Sequence, residues 1–290
     1  MPELPEVELM RRGIACLAGG TIRGLRKPPS RLQSIEIAPG LGAFRRRTVG
    51  RRILSVGRVG KRIVLELDSG ARIVIEPRMS GLLTLAAPRD REHLRLVFEV
   101  SRPKSELRFW DQRGLGVVRL VSPPEFETHY GAQKIGPDAL DISATVLRAR
   151  LGTSRREIKV ALLDQRALAG IGNIYASETL HRAGIHPRTA CNRLRPAQWR
   201  KLQAAMGEVL SEALRDQGST LSDQVYNAPG GGPGRYRFRV YQRHGQRCLA
   251  CGRGQIVRIV QAQRSTFFCP ACQPAVRPSR AGRARRGKVK

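Results

Sequence analysis

The chain has 290 residues and a formal net charge of +30, from 53 Lys and Arg against 23 Asp and Glu. An excess of that size implies a polyanionic partner, with nucleic acid the leading candidate. No apolar run is long enough to span a bilayer and no basic amphipathic helix with a bulky apolar face stands out, which argues against a membrane partner.

Taken in chain order, Pro2-Glu3-Leu4-Pro5-Glu6-Val7-Glu8 admits two readings. As a helix start, Pro5 loses nothing by lacking an N–H, and Glu6 and Glu8 meet the positive end of the macrodipole. As a reactive terminus, Pro2 becomes a free secondary amine once Met1 is removed, a nucleophile with the Glu3 carboxylate beside it. Val7, Met10, Ile14 and Leu17 share one helical face, and Gly19-Gly20 ends it. From Thr21 to Val121 the pattern is of strands without intervening helices. Residues 56–67 and 71–75 read as a hairpin around Asp68-Ser69-Gly70, and residues 94–100, 106–110 and 117–121 add short strands. This predicts an antiparallel β-sandwich.

After Pro123-Pro124 the character changes, and residues 131–141, with Gly136-Pro137, read as a linker. Helical periodicity follows. Ser143 caps a helix running to Leu151, and Ser154-Arg155-Arg156-Glu157 fits a capping box before residues 158–163. Residues 173–183 form a helix ended by Gly184. Residues 196–217 form the longest, with Leu202, Met206, Val209, Leu210 and Leu214 as its buried stripe. Residues 227–234 are too rich in Gly and Pro for regular structure and read as a mobile loop. A cysteine-bearing module follows, then a disordered tail with seven basic residues between Arg277 and Lys290.

Two local patterns carry chemistry. Cys248-x-x-Cys251 and Cys269-x-x-Cys272 supply four thiolates at a spacing suited to one tetrahedral zinc. The residues between them alternate as in a β-ribbon, and a closed four-sulfur shell makes the zinc structural. Cys16 and Cys191 are read as packing residues. In the second pattern, residues 170–178, glycines precede a helix with Asn173 at its start, so free N–H groups are expected to face an anion such as phosphate. Lys159, on the preceding helix, is placed to reach the same anion.

Pro2 to Glu8, Lys61 in a strand, Met79-Ser80-Gly81, residues 170–178 and the four-cysteine finger with Gln263-Arg264-Ser265-Thr266-Phe267 occur in this order. Together they resemble the bacterial formamidopyrimidine-DNA glycosylases, repair enzymes for 8-oxoguanine and ring-opened purines. The resemblance spans the chain from Met1 to Cys272. It implies an α+β multidomain chain: an N-terminal antiparallel β-sandwich with an N-terminal helix, a helix-two-turns-helix domain and a C-terminal zinc-finger β-hairpin. The corresponding boundaries are residues 1–130, a linker at 131–142, 143–234, 235–275 and the tail at 276–290. Double-stranded damaged DNA would lie between the halves, bound by a monomer in the bacterial cytoplasm, at the nucleoid.

The resemblance also assigns roles. Pro2 attacks the sugar C1′ of an extruded nucleotide, the base leaves, and the iminium serves as electron sink for β,δ-elimination of the flanking phosphates. Glu3 handles protons at the sugar ring. Lys61, Asn173 and Arg264 grip phosphates, His93 makes a further DNA contact beside the one that position already gives Lys159, and Met79 fills the gap left by the extruded base. The family's Asp-Pro-Arg-Arg-Phe-Gly reads Asp111-Gln112-Arg113-Gly114-Leu115-Gly116 here. Arg113 is retained to bond the orphaned base, while Leu115 replaces the wedging Phe. The family's His-Leu-Gly reads Glu76-Pro77-Arg78, and an ionised Glu76 is expected to repel phosphate, with Arg78 compensating. Two alternatives stand beside this reading: an endonuclease VIII type glycosylase for oxidised pyrimidines, and a non-catalytic relative that binds damaged DNA.

Overall fold

A computed structural model describes residues 2–88, 90–101, 104–220 and 232–275. Most of the loop expected at residues 227–234 and the tail beyond residue 275 therefore lie outside the described residues. Helix α1 (Leu4–Gly13) opens the chain. Glu3 caps it in a reciprocal box in which its side chain accepts the Glu6 N–H and its own N–H donates to Glu6 Oε2 at 2.9 Å.

Two sheets follow. The first holds β1 (Ile22–Arg26), β7 (Leu94–Val100), β8 (Ser105–Asp111) and β6 (Gly81–Thr84), in that order and wholly antiparallel. The second holds β2 (Glu36–Ala38), β9 (Val117–Val121), β5 (Arg72–Glu76), β4 (Arg62–Leu67) and β3 (Ile53–Val59). Leu65, Ile73 and Ile75 from one sheet and Leu96, Phe98 and Phe109 from the other close a common core with Val7 and Met10 of α1. The expected sandwich is present, with one amendment: β2 pairs with β9 in parallel.

Three local expectations change. The apolar run 56–67 is two strands, because Gly60 turns left-handed (φ 56°) and folds the chain back, so Lys61 sits in the turn and not in a strand. Helix α2 (Leu41–Thr48) interrupts the strands; only Phe44 and Thr48 of its eight residues are buried, too few to show a period. Helix α3 (Pro123–Tyr130) follows, opened by a Ser122–Glu125 capping box.

The helical half comprises α4 (Ala144–Leu151), α5 (Ile158–Leu162), α6 (Asn173–Arg182) and α7 (Pro196–Arg215). Ser143 accepts the Val146 N–H as its cap. Ser154 does not form its box: its Oγ accepts from Arg156, and Glu157 reaches Gln261 instead, at 2.6 Å. Tyr175, Trp199, Leu202, Met206 and Val209 form a second core, which Leu4 of α1 also enters. A third, small core of Val240, Cys248, Ile256, Phe267 and Cys269 lies under the hairpin of β10 (Val257–Gln261) and β11 (Arg264–Phe268). Cys191 is buried as expected, but Cys16 is exposed. No helix among the described residues is long and apolar enough to cross a membrane.

Candidate active site

The two halves meet where the start of α1 faces the start of α6. Leu4 donates its N–H to the Gly170 carbonyl at 3.1 Å, docking the N-terminus on the glycine-rich turn. The Glu3 carboxylate, 1% exposed, accepts the Ile174 N–H at 3.0 Å and the Tyr175 N–H at 3.3 Å. The amides expected to await phosphate are thus taken by Glu3, an internal anion at the positive end of α6. This approach requires glycine at 172, where a Cβ would stand 2.3 Å from the Glu3 carboxyl and 2.5 Å from Lys61 Nζ.

Behind Glu3 lies Glu6, equally buried. Its Oε1 accepts from Tyr175 Oη at 2.6 Å and from the Ser219 N–H and Oγ at 2.9 and 3.0 Å. Burial nevertheless raises its pKa above the usual carboxylate range. From the sequence Glu6 is placed only at the helix start, and Tyr175 and Ser219 have no role of their own. Their signal was Glu6 sharing a helical face with Leu9 and Met10, since a carboxylate in an apolar stripe needs a buried partner.

A cleft of about 210 Å³ opens beside this network, lined by Pro2, Lys61, Arg62, Glu76, Arg78, Leu163, Gln165, Ile171, Gly172 and Arg264. Burial lowers the pKa of Lys61, against the attraction of Glu3. Lys159 is fully buried and its ammonium bonds Asn173 Oδ1. Burial brings its pKa down to about 8; Glu3 opposes that shift and Arg264 reinforces it. Asn173 in turn donates Nδ2 to the Ser265 carbonyl at 2.9 Å, clasping the C-terminal hairpin. Arg264 begins β11 just after Ala262 and Gln263, both left-handed, as a two-residue hairpin turn demands.

The four cysteine sulfurs beneath that hairpin lie within 4.8 Å of one another. Cys248 and Cys272 are 3.8 Å apart, as are Cys251 and Cys269. A tetrahedral zinc with Zn–S bonds of about 2.3 Å needs an edge of about 3.8 Å, so the donor set fits zinc and leaves no open position. His181 Nε2 approaches Cys248 Sγ at 3.4 Å.

The remaining predicted residues gather along the edge of the first sheet. Met79 lies between β5 and β6, and Arg113 and Leu115 between β8 and β9. Asp111, completely buried, joins the two loops by accepting from Ser80 Oγ at 2.6 Å and from the Gly116 N–H at 2.7 Å, while Arg113 donates its N–H to Ser80 Oγ at 2.9 Å. Leu115 is 40% exposed. His93 precedes β7, bonds Asp90 at 2.8 Å and packs its ring against Trp110. Glu76 does not stand free to repel an anion. It is 7% exposed and paired with Arg62 at 3.2 Å, Arg78 at 3.3 Å and Arg119 at 3.8 Å.

Comparison with known proteins adds to this geometry. Residues 1–118 match the family model of the formamidopyrimidine-DNA glycosylase N-terminal domain, residues 135–225 that of its H2TH domain, and residues 245–275 a zinc finger found in FPG and IleRS. The chain is 41% identical to the formamidopyrimidine-DNA glycosylase of Bordetella pertussis, covering 94% of this chain and 99% of that one. It is 40% identical to that of Chloroflexus aurantiacus, covering 94% and 98%. Among solved structures it resembles Lactococcus lactis Fpg in complex with a Fapy-dG-containing DNA (TM-score 0.80, 30% identity, 94% and 100% coverage). The same protein with DNA containing an abasic site gives a TM-score of 0.80 at 31% identity, again covering 94% and 100%.

Proposed function

The chain belongs to the formamidopyrimidine-DNA glycosylase family, and from that membership we propose how its own residues divide the work. It is a base-excision glycosylase and abasic-site lyase acting on damaged DNA, and its zinc is structural. Its substrates are oxidised and ring-opened purines in duplex DNA. Pro2, freed of Met1, is the nucleophile at C1′ of the extruded nucleotide, a secondary amine whose lone pair attacks the sugar carbon. Glu3 moves protons at the sugar ring. Lys61 and Arg264 take the flanking phosphates, with Lys159 and Asn173 holding the Arg264 hairpin in place. Met79, Arg113 and Leu115 enter the gap in the stack, and His93 braces their loops.

The observation that carries this reading is Pro2 on the wall of a cleft shared with Lys61 and Arg264, with the Glu3 carboxylate buried beside it. Borohydride trapping on a duplex holding 8-oxoguanine opposite cytosine tests it. A covalent adduct is expected with wild type, its loss with Pro2→Gly, and a roughly 10²–10⁴-fold slower reaction with Glu3→Gln. Equal trapping by Pro2→Gly removes Pro2 from the role. A faster reaction on a thymine glycol duplex assigns the oxidised-pyrimidine substrate instead.

A further inference from the structure

Arg78 holds a left-handed backbone (φ 54°), a conformation that glycine adopts freely and that strains a long side chain such as arginine's. It still presents a long cation there, half-exposed, on the wall of the cleft that contains Pro2. A strained residue kept on a cleft wall is a reason to look for a ligand. The carboxylate of Glu76 explains how the cation is held. Glu76 Oε1 faces Arg62 at 3.2 Å, Arg119 at 3.8 Å and the Tyr130 hydroxyl at 3.5 Å, while Oε2 faces Arg78 Nε at 3.3 Å. Arg119 is further neutralised by Glu36 at 2.7 Å. One carboxylate thus serves Arg62 and Arg78 together, which leaves the wall with surplus positive charge. Among the described residues Arg78 has no ion-pair partner but Glu76, whose nearest contact is to Nε, so no other carboxylate pairs with the two terminal nitrogens of this half-exposed side chain.

We propose that Arg78 is a phosphate-binding residue of this cleft, gripping a backbone phosphate beside the extruded nucleotide, and that Glu76 is the positioning residue that aims it. The proposal rests on the reading of the cleft as the glycosylase site. Glu76 binds no DNA itself; it fixes Nε so that the remaining edge of the guanidinium faces the phosphate. The anion is a phosphodiester, because a single fork beside a closed carboxylate suits two oxygens of one monoanionic group.

The test uses the full-length protein and a duplex with a tetrahydrofuran abasic analogue, which cannot react at C1′. Affinity is measured against salt, with single methylphosphonates placed in turn at the phosphates around the analogue. Arg78→Gly, which also removes the backbone strain, is expected to bind about tenfold more weakly and to lower the slope of log K against log salt by about 0.9. One methylphosphonate that weakens wild type should leave Arg78→Gly unaffected. Arg78→Lys should recover the slope. Glu76→Gln should weaken wild type severalfold and have no effect in the Arg78→Gly background, whereas a merely structural role would weaken both. An unchanged slope in Arg78→Gly, or equal sensitivity to every methylphosphonate, overturns the proposal. Because the analogue is inert, these results stand whether or not Pro2 traps on a damaged base.

Discussion

Lys159 has an environment ill suited to its charge. It is fully buried, and its ammonium is fixed to Asn173 rather than to a carboxylate. Burial lowers its pKa from 10.5 to about 8, so the folded state disfavours the charged form. Below pH 8 the residue is protonated whether folded or unfolded, and the cost is constant, about 3 kcal/mol. Between pH 8 and 10.5 the unfolded chain binds the proton and the folded one sheds it, so stability rises with pH. Urea unfolding across that window should show wild type gaining on Lys159→Met, with parallel curves below pH 8; parallel curves throughout would sink the assignment. A lysine retained at such a cost is there for its proton and its donor, and both are directed at the residue that clasps the Arg264 hairpin.

At the scale of elements, α6 is the member that connects everything. Its N-terminus binds Glu3, and Glu178, buried midway along it, accepts the N–H groups of Arg239 at 2.9 Å, Val240 at 3.0 Å and Tyr241 at 2.9 Å. Those three amides open the approach to the zinc module. Glu178→Ala would strand them, at roughly 1–3 kcal/mol for each group left without water. A fall in melting temperature with faster amide exchange at residues 239–241 is expected, while Glu178→Gln keeps one acceptor oxygen and loses less; unaltered exchange there would refute the anchor. The elements themselves were legible where the apolar period ran long, as in α7, or where the cap was used, as at Ser143. A four-residue cap signature was not enough by itself. Ser122-Pro123-Pro124-Glu125 forms a box, while Ser154 to Glu157, with the same spacing, forms none because Gln261 draws Glu157 away. Local sequence offers the cap; distant partners decide whether it is used.

Across the whole molecule the site is made of long-range pairs. Glu3 and Ile174 are 171 positions apart and Glu6 and Ser219 are 213 apart. The motif residues could be named from the sequence, but their joining could not, because no periodicity encodes a contact between two cores. Arg58 reinforces the join, pairing with Glu8 at 3.1 Å and Asp138 at 2.6 Å. The third core has no comparable reserve: a handful of apolar side chains cannot hold a hairpin, so zinc binding must supply its folding energy. Removing the metal should therefore release the Ser265 carbonyl from Asn173, and free the neighbouring Arg264 to move, while the two larger cores stay folded. Chelation is expected to leave most far-UV circular dichroism in place and to weaken binding to an abasic-analogue duplex by more than about tenfold, through lost phosphate contacts. Borohydride trapping should fall with it, and added zinc should restore both. Full trapping by protein whose zinc content has been measured as nil would mean the hairpin does not deliver Arg264 to the cleft.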